Sequence, residues 1–126
     1  MENKIERYLI DLMFDYRELD KDIWLLEDEE HDLVNVVISR VENIVIIRVI
    51  VMEVPNTKEQ PEFFRKLLEL NARDLQHGAY GIEEDEVVLI DTLEYDTMDM
   101  EEFRATLDAF SLALAQHYPI LSGYRK

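Results

Sequence analysis

Leu67-Leu68-Glu69-Leu70-Asn71, followed by Gly78-Ala79-Tyr80-Gly81-Ile82, is the stretch on which the fold of this chain turns. Phe64, Leu67, Leu68, Asn71 and Leu75 recur at helical spacing, which predicts a helix with one apolar face running to about Gln76. The helix follows Val54-Pro55-Asn56, since Pro55 cannot donate to a β-ladder. Thr57 and Gln60 form a capping-box pattern, and Pro61 falls in the first turn, where main-chain donors have no helical acceptor. His77-Gly78 ends it, Gly78 supplying the left-handed position a helix terminus often needs. Asn71 is the one polar residue on the Leu-rich face. A buried amide must be hydrogen-bonded, so Asn71 is expected to tie the helix to a strand.

Beyond Gly78, residues 79–82 and 86–94 read as a hairpin around the acidic turn Glu83-Glu84-Asp85. Val87, Leu89 and Leu93 alternate with Val88, Ile90 and Thr92, so either set can face inward; Asp91 is expected on the wetter side unless it is paired. Asp99 as N-cap, Glu102 three residues on and the Met98–Phe103 pair then mark a last helix, with Phe103, Leu107, Phe110, Leu114 and His117 in one stripe. Pro119 is expected to end that helix and leave a loosely tied tail.

Upstream, Ile5, Tyr8, Leu9, Leu12 and Tyr16 predict an amphipathic helix over about residues 2–18. From Ile23 to Val54, β-branched runs broken near Glu27–His31 and Arg40–Asn43 predict a three-strand antiparallel meander. The expected fold is therefore α+β, an antiparallel sheet in the order α-β-β-β-α-β-β-α, with residues 1–126 as one domain.

The meander carries apolar side chains on both faces. Val34, Val36 and Ile38 make the cleaner core face of its second strand, and Val45, Ile47, Val49 and Val51 that of its third. On the other side stand Leu33, Val37, Ile46, Arg48, Ile50 and Met52, expected to form a dimer or partner-binding face. Each large aliphatic left wet forgoes roughly 1.5–3 kcal/mol of burial. The cover is a helix of the same chain, a second subunit or a client segment.

These residues resemble the YbjN-like and type III secretion chaperone-like (CesT-type) proteins. The likeness spans nearly the whole chain and is strongest from Phe64 to Tyr118, in the Leu-rich helix with Asn71, the Tyr80-Gly81-Ile82 and Val87-Val88-Leu89 strands, and the acidic-capped helix ending His117-Tyr118-Pro119. The resemblance implies an antiparallel sheet packed with helices, a homodimer and, for the secretion chaperones, capture of an extended client segment along the sheet and its flanking grooves. YbjN-like members are described as regulators. A client or regulatory protein is the expected partner.

Composition agrees with a binding module. Thirteen Lys and Arg against 29 Asp and Glu give a net charge of −16, which repels nucleic acid and anionic membranes, both of which are held by cations. The N-terminus does not read as a signal peptide, so a cytoplasmic location is expected. With no cysteine, thiol chemistry and zinc-thiolate sites are excluded. His31, His77 and His117 form no local ligand pair, the acidic turns lack a calcium-loop pattern, and the three glycines fit no phosphate-binding fingerprint, so no cofactor or metal is expected. No catalytic constellation can be nominated, and the chain is not expected to be an enzyme. The rival reading is a small-molecule-binding protein or an enzyme with a pocket between the last helix and the sheet, with Tyr80, Asp91, Arg48 or His117 as polar contacts.

Overall fold

The computed structural model describes residues 3–125. They run α1 (Lys4–Asp11), β1 (Tyr16–Asp20), β2 (Ile23–Asp28), β3 (Leu33–Val41), β4 (Ile44–Glu53), α2 (Gln60–Arg73), β5 (Ala79–Glu83), β6 (Glu86–Glu94) and α3 (Met100–Ser122). This is an α+β fold whose six strands form one antiparallel sheet in the order β1-β2-β3-β4-β6-β5. The three-strand meander and the second hairpin are present as expected, and β1 is added ahead of them.

β1 arises because the first helix stops early. Asn3 caps α1 through its side chain, which accepts from the Ile5 N–H at 2.8 Å. At the other end Met13 takes a left-handed conformation, φ 63°, in a Schellman closure. The Met13 N–H bonds the Ile10 carbonyl and the Phe14 N–H the Leu9 carbonyl, each at 3.0 Å. The accompanying hydrophobic contact comes from Leu9 and Phe14, both buried. Tyr16, expected on the helix face, starts β1 instead, where it pairs with Leu26.

α2 enters without the expected capping box. Thr57 Oγ1 accepts from the Glu59 N–H at 3.2 Å, and Gln60 Nε2 donates to the Pro55 carbonyl at 2.9 Å, so the helix begins at Gln60 with Pro61 in its first turn. It ends at Arg73. Gly78 then turns the chain into β5 at φ 84°, where a Cβ would lie 3.0 Å from both the Ile90 carbonyl and the Phe110 ring. Only glycine suits that conformation and that space.

α3 starts as expected. Asp99 Oδ1 accepts from the Glu102 N–H at 2.8 Å, Glu102 Oε1 accepts from the Asp99 N–H at 3.1 Å, and Met98 and Phe103 are both buried beside the cap. It does not end at Pro119. The helix runs on to Ser122, Leu121 is fully buried, and the Tyr124 ring meets Phe63 edge-on at 5.4 Å. Proline removes a single main-chain donor this near the terminus, and burial of Leu121 and Tyr124 outweighs the loss.

One apolar cluster joins the helices to one face of the sheet. Trp24 and Leu26 of β2, Leu33, Val36 and Ile38 of β3, Val45, Ile47, Val49 and Met52 of β4, and Val87 and Leu89 of β6 meet Ile5 and Leu9 of α1, Phe63 and Leu67 of α2, and Phe103, Leu107 and Phe110 of α3. Val87 and Leu89 are thus the inward set of β6. Asp91 shares that side, half-buried, with its carboxylate folded back onto the Thr92 N–H at 2.9 Å, so Thr92 rather than Asp91 marks the wet face.

Candidate functional site

The face of the sheet away from the helices is the candidate site. Register fixes its members: Val37 of β3 lies opposite Arg48 of β4, which lies opposite Ile90 of β6 and, through it, Ala79 of β5. One step toward the β3–β4 turn are Ser39, Ile46 and Thr92; one step the other way are Ile50, Val88 and Gly81. Side chains at paired positions project to the same face, so these strands lay down a continuous aliphatic field. Ile50 is 47% exposed and Ile44, at the turn end, 42%; Val37, Ile46 and Ile90 are half-buried, and Val88 is screened.

Arg48 is the cation on this field, paired through Nη2 with Glu83 Oε1 of β5. In register Arg48 lies opposite Ile90, two same-face positions from the Glu86–Glu83 pair, so the ion pair runs along the sheet rather than straight across it. At the β1–β2 end, Arg17 Nε pairs with Glu27 Oε1 at 2.8 Å, both side chains exposed.

Two residues expected on this face lie on the other. Leu33 is buried in the core because Asn35, at φ 63°, inserts a bulge into β3; the alternation slips, Leu33 joins Val36 and Ile38, and Val34 is left 43% exposed. Met52 is buried for the same kind of reason. Pairing between β4 and β6 shifts between Ile50 and Met52, so Met52 turns inward opposite Val87 and Glu53 turns outward opposite Glu86. Val37, Ile46, Arg48 and Ile50 do share the outer face.

A second apolar feature flanks the sheet at its β5 edge. Phe64, Leu67, Leu68 and Asn71 of α2 with Tyr80, Gly81 and Ile82 of β5 line a groove of about 250 Å³. Leu68 is 68% exposed on its rim and Ile82 nearly half. Helical periodicity assigned Leu68 to the core side of α2. Its neighbour relation to Ile82 is a long-range pairing that a repeat of 3.6 residues does not reveal.

The four residues of the small-molecule reading do not converge. Tyr80 and His117 meet inside the protein, the Tyr80 hydroxyl 2.7 Å from His117 Nδ1, while His117 Nε2 lies 3.2 Å from Asp74 Oδ2. With Nε2 protonated, the ring accepts from Tyr80 and donates to Asp74. Burial, and after it the Asp74 charge, push the Tyr80 phenol well above its ordinary range, so it stays a neutral donor. The space beside this chain of groups is only about 60 Å³. Arg48 stands on the opposite face of the sheet, and Asp91 bonds its own strand.

The sequence profile of the CesT_Tir_1 family matches residues 1–126. The chain belongs to the CesT_Tir_1 family. No curated protein matches it by sequence. Among solved structures, this CesT_Tir_1 chain superposes with a TM-score of 0.76 on a chain of the heterodimeric ExoU–SpcU complex from the type III secretion system of Pseudomonas aeruginosa, at 16% identity over 94% of this chain and 98% of that one. It matches YbjN of E. coli with a TM-score of 0.68 at 15% identity, over 92% and 89%. A chain of the ExsC–ExsE complex gives 0.58 at 15% identity, over 94% and 93%. At such identities the likeness establishes the fold of this CesT_Tir_1 protein, which is that of the type III secretion chaperones. No helix among its described residues is long and apolar enough to cross a membrane.

Proposed function

We propose that residues 1–126 form one non-enzymatic protein-binding domain, chaperone-like or regulatory, that works as a cytoplasmic homodimer and holds an amphipathic segment of a client protein on the outer face of its sheet. The observation that carries this reading is the uncovered aliphatic field of Ile44, Ile46, Ile50, Val37 and Ile90, with the helices gathered on the opposite face. Its neighbours in fold include proteins solved as complexes, ExoU–SpcU and ExsC–ExsE, which supports protein capture as the use of such a face. The groove between α2 and β5 is the site for the second copy. There the exposed Leu68 and Ile82 offer apolar surface without a fixed charge between them.

Two substitutions separate the roles. Ile50→Asp puts a charge in the aliphatic field and should abolish client capture while leaving a dimer by sedimentation. Leu68→Asp should give a monomer that retains some client binding. A protein that is monomeric without mutation, or that captures its client normally with Asp at position 50, would defeat the reading.

A further inference from the structure

The outer face has a charged end, and its geometry specifies the chemistry of what it holds. Glu53 of β4 lies opposite Glu86 of β6, and Glu86 lies opposite Glu83 of β5, so three carboxylates stand in one row across three adjacent strands. Like charges directly opposite each other destabilise a sheet. The bulge between Ile50 and Met52 is what turns Glu53 outward into this row. Arg48 answers one of the three, through Glu83; Glu53 and Glu86 have no ion-pair partner among the described residues. Glu84 and Asp85 in the adjoining turn add to the same negative potential.

The aliphatic field begins immediately beside this row. Ile50 and Val88 are the next outward residues along β4 and β6, followed by Arg48 and Ile90 and then Ile46 and Thr92. At about 3.3 Å per residue, the four steps along β6 from Glu86 to Ile90 span about 13 Å.

Resting on the reading of this face as a client site, we infer that its occupant is a basic amphipathic segment, with aliphatic side chains seated on Ile46, Ile50 and Ile90 and Lys or Arg at one end meeting Glu53 and Glu86. A span of about 13 Å corresponds to two to three turns of helix or four residues of extended chain between the aliphatic anchor and the basic end. A second copy fits poorly here: it carries the same net charge of −16 and would set one carboxylate row against another.

The test uses two designed 20-residue peptides with the same Leu/Ile stripe, one ending in Lys-Arg-Lys and the other in Gln-Gln-Gln, titrated by fluorescence anisotropy. The basic peptide should bind the unmodified protein at least tenfold more tightly, and raising the salt should erase most of that difference. In the Glu53→Gln/Glu86→Gln variant the tenfold preference should fall to about twofold or less. That variant keeps the Arg48–Glu83 pair and should unfold at a higher urea concentration than the parent, because a repulsion is removed; this also serves as its folding control. Ile50→Asp should weaken both peptides. If both peptides bind equally and Ile50→Asp abolishes both, the face still captures clients but the basic-partner inference is wrong. If neither peptide binds and Ile50→Asp instead dissolves a dimer, the face belongs to a second copy and both readings fall.

Discussion

The side-chain amide of Asn71 takes both main-chain polar groups of Tyr80: Oδ1 accepts from the Tyr80 N–H at 2.7 Å and Nδ2 donates to its carbonyl at 3.1 Å. In an antiparallel edge strand every second residue directs both groups outward, and β5 is an edge. Asn71 therefore occupies the position that a seventh strand would use, closing the edge while leaving the apolar groove beside it open for packing. Asn71→Leu should cost about 2 kcal/mol, since two partly buried groups lose their partners, and should introduce concentration-dependent association through the freed edge. Urea denaturation followed by fluorescence of Trp24, the sole tryptophan and a buried one, measures the first effect, and light scattering the second. Stability equal to the parent's would contradict this role.

Met13 holds the left-handed position that closes α1, and 81% of its surface is exposed, so its side chain adds little burial in return. Glycine adopts that conformation without the penalty a Cβ incurs. Met13→Gly should stabilise the protein by about 0.5–1 kcal/mol despite the added freedom of the unfolded chain, read as a rise in the urea midpoint. Met13→Val, β-branched at the same backbone position, should lower it.

The same residue shows what the amino-acid sequence conceals. Periodicity of 3.6 and of 2 located the helices, the meander, the second hairpin and the Asp99–Glu102 cap, because each rests on neighbours along the chain. The amide bridge from Asn71 was legible too, since a lone polar residue on a leucine face has few alternatives. The end of α1 was not, because Met13 stands where glycine would have signalled the stop. Of the six residues expected on the outer face, Val37, Ile46, Arg48 and Ile50 lie on that side of the sheet, while Leu33 and Met52 lie in the core. Each error lies just across a bulge, at Asn35 or after Ile50, where one extra residue reverses the alternation. Pro119 misled in the opposite direction: its local rule is sound, but Leu121 and Tyr124 find cover that the rule does not consider.

Asp28 gives the stability a defined acid limb. Its buried carboxylate accepts from the Asp15 N–H at 2.8 Å and the His31 N–H at 2.9 Å and lies 2.8 Å from His31 Nδ1. Burial alone would raise its pKa. The main-chain hydrogen bonds from Asp15 and His31, with the His31 ring behind them, outweigh burial and hold the carboxyl below its ordinary value. The folded pKa is therefore lower than the unfolded one, about 3.9. The contribution is fully present above that value and is lost as pH falls through the folded pKa. The urea midpoint should drop on acidification below about pH 4. Asp28→Asn should be less stable at pH 7 by about 1–3 kcal/mol, yet show a shallower decline below pH 4. Parallel pH curves for the two proteins would remove Asp28 from the explanation.

Beyond Pro119, two adjacent residues should respond in opposite ways to the same truncation. Leu121 is fully buried, in the core cluster that also holds Phe63, whereas Ile120 is 42% exposed. Leu121→Ala leaves a cavity in the core and should cost about 2–5 kcal/mol. Ile120→Ala removes mostly wet surface and should change stability by about 0.5 kcal/mol or less. Because Phe63 also meets Tyr124, the Leu121 cavity should loosen the last residues as well, visible as faster amide exchange at Tyr124 and Arg125 than in the parent. Equal and small effects at both positions would mean that the segment after Pro119 is not docked, and that α3 ends where its proline stands.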